Sequence, residues 1–199
     1  LTTAKTVAVN TGTETDQYIP RIKWTSGNTQ LCLTRLNRHQ NELELLLADA
    51  TTGDTRRLLR ETNPAYIDLH DNLTFLANGQ EFLWTSEADG WNHLYLYDMN
   101  GKLVRQLTKG NWEVTDFYGV DEANGVLYYQ AAENSPLERQ VYQLGLNGRN
   151  KVELAEEPGW NIAQFSSTFD YFVLNHSTAN RPSSYVVYDR KGSMVRTIE

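Results

Sequence analysis

With 199 residues, 40% of them hydrophobic and 11% aromatic, the chain has enough apolar material for a packed core and lies outside the compositional range of disordered polypeptides. Its 25 acidic and 18 basic residues give a net charge of −7 at pH 7 with no Lys/Arg run to track a phosphate backbone, which argues against nucleic acid as a partner. No stretch approaches the roughly 18 to 20 consecutive apolar residues of a membrane-spanning helix, and a single cysteine rules out an internal disulfide.

The start, Leu1 to Lys5, has no charged leader followed by an apolar core, and a chain that begins without Met in mid-repeat reads as an excised piece. Thr11 to Asp16 reads as a linker from a preceding repeat into Tyr18-Ile19-Pro20. The first repeat is expected as strands Ile19–Trp24, Leu31–Leu36, Leu43–Ala48 and Thr55–Leu59, with Cys32 as a small buried hydrophobe and a turn at Asp49–Gly53. The second runs Ile67–Leu76 with an interruption, Glu81–Thr85, His93–Tyr97 and Leu103–Leu107, turning at Asp98–Gly101. The third runs Val114–Val120, Val126–Gln130, Gln140–Leu144 and Lys151–Leu154, with a loop at Asn134–Glu138 and a turn at Leu146–Gly148. The acidic cluster Glu153, Glu156 and Glu157 follows and reads as a solvated turn. The fourth runs Ile162–Phe165, Tyr171–Asn175, Ser184–Tyr188 and Met194–Ile198, turning at Asp189–Gly192.

The turn glycines Gly53, Gly101, Gly148 and Gly192 lie 48, 47 and 44 residues apart, a period like that of propeller blades. Strands such as Leu94–Tyr97 and Leu127–Tyr129 are apolar on both faces, so both must be covered, as in a blade packed between neighbours. The expected fold is all-β: a partial β-propeller of about four four-stranded antiparallel blades, approximately 18–60, 64–110, 112–157 and 160–199. Residues 1–199 are expected to form part of one propeller domain whose ring extends beyond this chain. Trp24, Phe75, Val120 and Phe165 recur at equivalent strand ends and are expected to pack between blades.

Little in the sequence supports chemistry. There is no Gly-x-Ser-x-Gly elbow, and Gly192-Ser193 sits in a turn. His39, His70, His93 and His176 are dispersed without metal-ligand spacing, the glycines stand singly rather than in a phosphate cradle, and no cofactor is implied. Asp68, Asp71, Asp116 and Glu113 read as strand-end and turn carboxylates rather than a hydrolytic pair. Asn72-Leu73-Thr74 and Asn175-His176-Ser177 match the glycosylation sequon, which matters only in a glycosylating host. His70 and Asp71 interrupt the second repeat and are the candidate substrate-lining residues; the alternative is an Asp71-Asn72 turn with His70 bonded to backbone.

The segments Trp84–Tyr97, Leu107–Val114 and Ser135–Tyr142 together resemble the propeller of the dipeptidyl peptidase IV family, its bacterial branch especially, over about Tyr18 to Glu199. The resemblance implies a parent serine exopeptidase that removes N-terminal dipeptides, commonly after Pro or Ala, with an eight-bladed propeller over an α/β-hydrolase domain. That hydrolase domain, its Ser-Asp-His triad and the paired glutamates that hold the substrate amine are expected outside this chain, so the chain itself is expected not to be an enzyme. Where mammalian relatives carry a Phe-Arg pair near the active-site cavity, this sequence reads Leu69-His70-Asp71.

The implied role is gating access and helping orient peptide substrates, in the periplasm or cell envelope. The implied partners are the missing blades and the hydrolase domain. The alternative is a stand-alone propeller used as a protein-interaction module. Uncovered blade faces predict self-association, a homodimer among the outcomes.

Overall fold

The computed structural model describes residues 5–154 and 157–198, so Leu1 to Ala4, Glu156 of the acidic cluster and Glu199 lie outside the described residues. Among the described residues sixteen strands form four sheets of four, each antiparallel and each in simple chain order. The first sheet comprises β1 (Gln17–Trp24), β2 (Gln30–Asn37), β3 (Glu42–Asp49) and β4 (Thr55–Thr62). The second comprises β5 (Thr74–Phe75), β6 (Glu81–Ser86), β7 (His93–Asp98) and β8 (Leu103–Gln106). The third comprises β9 (Val114–Asp121), β10 (Val126–Ala131), β11 (Gln140–Gly145) and β12 (Val152–Glu153), and the fourth β13 (Trp160–Phe165), β14 (Tyr171–Thr178), β15 (Arg181–Asp189) and β16 (Met194–Ile198). The chain divides into two compact units, Leu1–Leu83 with Tyr97–Leu103, and Trp84–Leu96 with Val104–Glu199.

In three of the four repeats the third strand is followed by the same local device, and in the remaining one Asn147 Oδ1 accepts from the Arg149 amide. Asp49 Oδ1 accepts from the amides of Thr51 and Thr52, Asp98 Oδ1 from those of Asn100 and Lys102, and Asp189 Oδ1 from those of Lys191 and Ser193. A short side chain that bonds backbone just ahead of it closes the turn without help from the rest of the fold. The glycines that follow hold φ of 74 to 82°. At Gly101 a Cβ would also lie 1.8 Å from the Leu58 carbonyl oxygen of β4, so both the turn and the close approach of the preceding strand demand glycine.

A second repeated contact ties a sheet's last strand to the next turn. Arg56 of β4 donates to the Met99 carbonyl at 2.7 Å within the first unit, and Arg105 of β8 donates to the Asn147 carbonyl at 2.7 Å within the second. These arginines fill carbonyl acceptors that the tight turns leave unpaired.

Burial falls on the middle strands. Leu43 to Ala48 of β3 are all buried, and the one polar side chain among them, Glu44, has its carboxylate held by Arg35 and Arg57. Cys32 is 1% exposed, and desolvation pushes its thiol up to about 12, a buried hydrophobe rather than a nucleophile. In the second unit the core is aromatic: Phe165 lies 4.4 Å from Tyr128 and 5.1 Å from Phe172 by ring centroids, and Phe172 stacks on Tyr188 at 5.3 Å.

Three expectations are corrected. Trp24 is 51% exposed: it is the last residue of the edge strand β1 and lies outside the buried cluster of Leu33, Leu46 and Ala48. The strand expected over Ile67–Leu76 is reduced to Thr74–Phe75, since the residues before it bond to the first sheet instead of to β6. The last strand of the third sheet is Val152–Glu153, shorter than Lys151–Leu154.

Candidate functional site

The longest irregular connection in the first unit runs from β4 to β5, over residues 63 to 73, and carries both candidate lining residues. Within any of these sheets the antiparallel order places the loop between second and third strands at the same end as the outgoing connection. Accordingly the Asn63 amide donates to the Asn41 carbonyl at 3.0 Å and the Ile67 amide to the Gln40 carbonyl at 2.8 Å, both in the β2–β3 loop. Farther along, Lys23 Nζ of β1 donates to the Leu73 carbonyl, and Arg21 Nε of β1 pairs with the Asp71 carboxylate. The connector is thus fastened at both ends to the first sheet, whose donors and acceptors absorb backbone groups that would otherwise extend β5.

Asp71 is exposed, and its hydrogen bond from Arg21 holds its carboxyl below the ordinary carboxylate range against desolvation, with the charges of Arg21, His70 and Lys23 acting in the same direction as the bond. The guanidinium of Arg21 is raised correspondingly by that bond. His70 is half-buried, and its Nδ1 accepts from the Asn72 amide at 3.3 Å, which leaves the hydrogen of the neutral ring on Nε2. Between these polar groups and the β2–β3 loop, Tyr66 and Leu69 stand 57% and 39% exposed. The connector therefore offers an apolar surface bordered by an imidazole and by a carboxylate whose charge is already matched.

Arg21 and Lys23 were absent from the sequence-based set. The available signal was a pair of cations at alternate positions of a strand that otherwise reads as apolar, but nothing local identifies a partner some fifty residues away.

His93 does structural work. His93 is fully buried; its Nε2 meets the Gly110 carbonyl at 3.1 Å and so must donate, leaving Nδ1 to accept from the Thr108 hydroxyl at 3.0 Å. That hydroxyl also accepts the Leu94 amide and is buried, so it is a clasp for the loop after β8 rather than an activated nucleophile. Among the described residues no group of three or more His, Cys, Asp or Glu could hold a metal ion. A cleft of about 400 Å³ in the second unit is lined by Asp121, Tyr128, Gln143, Arg190 and Lys191, but Asp121 is bonded to Asn124 and Arg190 faces Asp170.

Comparison with known proteins places this geometry. Residues 1–183 match the family model described as the dipeptidyl peptidase IV N-terminal region. The chain belongs to that family. Its fold matches the crystal structure of Porphyromonas gingivalis dipeptidyl peptidase 4 with a TM-score of 0.88 and 37% identity, over 98% of this chain and 28% of that one. It is 28% identical to dipeptidyl peptidase 4 of Arthroderma otae, over 89% of this chain and 24% of that protein. It is also 30% identical to inactive dipeptidyl peptidase 10 of Rattus norvegicus, over 92% of this chain and 26% of that protein. The chain thus spans about a quarter of the length of these relatives. All-β with four four-stranded antiparallel sheets, it has the fold of a part of the dipeptidyl peptidase IV propeller region, in a family of serine peptidases.

Proposed function

We propose that this chain is a non-catalytic propeller part of a dipeptidyl peptidase IV-like serine exopeptidase of the bacterial envelope or periplasm, with blades near 18–60, 64–110, 112–157 and 160–199. In this reading it gates access to, and helps orient peptides for, a downstream α/β-hydrolase domain that removes N-terminal dipeptides. The observation that carries it is the fastened 63–73 connector. A rigid loop presenting Tyr66, Leu69 and His70 beside the matched Arg21–Asp71 pair suits contact with an extended peptide, because its ordering cost is met before any ligand arrives. Acid–base and nucleophilic chemistry would come from the hydrolase domain, which supplies the activated serine.

The test compares the full-length parent with its His70→Ala and Asp71→Ala variants on Xaa-Pro chromogenic substrates. Raised KM with kcat nearly unchanged is the expected result, as for lost substrate orientation. Unchanged kinetics in both variants would remove the connector from the substrate path. A second reading, a propeller serving as a protein-interaction module, draws on the likeness to an inactive relative. An open reading frame without a Gly-x-Ser-x-Gly domain downstream would favour it.

A further inference from the structure

Between the third and fourth sheets, within the second unit, a cleft of about 400 Å³ opens at the end opposite the β10–β11 loop. Small-molecule sites typically enclose roughly 300 to 1,000 Å³. The floor is set by Asp121, the last residue of β9, and by Tyr128 of β10, which are 6% and 1% exposed. Val126 and Val152 form apolar walls, and the turn after β15 brings the exposed Arg190 and Lys191 to the rim.

The charges of this cleft are not balanced by the fold. Among the described residues two carboxylates are buried, Glu44 and Asp121. Glu44 is matched by Arg35 and Arg57, whereas Asp121 has no ion pair among the described residues and accepts from Asn124 instead, from its amide at 3.1 Å and its Nδ2 at 2.6 Å. Asn124 is neutral, so these bonds orient the carboxylate without cancelling its charge, and a buried charge with no counter-charge is costly. At the rim, Arg190 meets Asp170 loosely at 3.6 Å, and Lys191 has no ion pair among the described residues. The Tyr128 hydroxyl makes no hydrogen bond among the described residues, yet it is not sealed in like those of Tyr129 and Tyr142, so its open side is the cleft. Burial and the charge of Asp121 raise its pKa while Arg190 opposes them, as expected of a hydroxyl near both ends of the site.

We propose that this cleft binds a small molecule bearing both an ammonium and a carboxylate, of the size of a free amino acid or dipeptide, with the ammonium at Asp121 and the carboxylate at Arg190 and Lys191. The ammonium supplies the counter-charge that Asp121 lacks, on lone pairs that Asn124 leaves free, since each carboxylate oxygen accepts two hydrogen bonds. The ligand's carboxylate takes charge-assisted bonds from the two cations, and the Tyr128 hydroxyl is free to bond either end. A simple anion would satisfy the rim and leave Asp121 unmatched, and a simple amine would do the reverse. The site uses no residue of the first unit, so it stands or falls apart from the role of the 63–73 connector.

The test is amide hydrogen exchange by mass spectrometry on the full-length protein titrated with glycine and with glycylglycine, using ethylamine and acetate as single-charge probes. Peptides covering Asp121 to Tyr128 and Asp189 to Lys191 are expected to gain protection with glycine or glycylglycine, and little with either single-charge probe at the same concentration. Because the readout is local, a dipeptide bound at a peptidase active site elsewhere in the parent does not register in these peptides. In Asp121→Asn, and in a double variant Arg190→Gln with Lys191→Gln, the dissociation constant read from that protection is expected to rise at least about tenfold, as for a lost hydrogen bond to a charged group. The double variant alters exposed side chains alone, so it carries the test if Asp121→Asn does not fold. Absence of protection in the natural sequence, equal protection by acetate or ethylamine alone, or an unchanged constant in the double variant would overturn the proposal.

Discussion

Phe172→Ala probes the aromatic core directly. The side chain is 1% exposed, belongs to a cluster with Tyr128, Val141, Leu154, Ala163 and Leu174, and touches Phe165 and Tyr188 ring to ring at 5.1 and 5.3 Å. Transfer of a buried phenyl group accounts for about 1.5 to 3 kcal/mol, and the cavity left between two sheets brings the expected total to about 3 to 5 kcal/mol. Phe75→Ala is expected to cost distinctly less, because Phe75 is only half-buried and its ring contact to Phe82 is a tilted 5.9 Å. Urea unfolding of both variants, read as midpoint shifts at unchanged slope, measures the difference. In a double-mutant cycle, Phe172 and Tyr188 should couple by about 0.5 to 1.5 kcal/mol. A Phe172→Ala loss below about 1 kcal/mol, outside the range for truncating a buried ring, or a loss smaller than that of Phe75→Ala, would refute the packing described for this core.

Gly101→Ala should destabilise well beyond Gly125→Ala, because both have positive φ but only at Gly101 does the added Cβ strike backbone, at 1.8 Å; equal thermal shifts would show that strain alone matters. Tyr118→Phe should cost about 1 to 3 kcal/mol by stripping the Ala163 amide of its acceptor, a bond of 3.1 Å. Tyr129→Phe, by contrast, should be neutral or stabilising in the same denaturation assay, since its buried hydroxyl has no hydrogen-bond partner among the described residues. The Arg21 hydrogen bond lowers the Asp71 carboxyl below its unfolded value, so its contribution is present above the unfolded value and lost as pH falls through the folded one; acid titration of stability should show a smaller loss in Asp71→Asn.

The strands and turns were legible in the sequence because their causes are local. An aspartate that bonds the amides two to four residues on, a glycine free to take positive φ and a run of apolar residues between such turns mark three of the hairpins without reference to anything distant. Met194–Ile198 emerged with the expected bounds, and most other strands differ by one to three residues at an end. Strands apolar on both faces announced in the same way that both faces would be covered, as those of β3 are.

The candidate site was legible only in outline. His70 and Asp71 stood out because they break a pattern, but Arg21 and Lys23, which hold that segment, are bound to it across about fifty residues of chain. The same limit applies to Trp24, whose place at the end of an edge strand leaves it exposed, and to His176, whose Nδ1 meets the Asn161 side-chain oxygen on the neighbouring strand. The sequence by itself determined the repeat, because periodicity and turn chemistry act over a few residues. Only the tertiary structure decided which polar side chains meet, because hydrogen bonds and ion pairs act over about 3 Å of space whatever the separation along the chain.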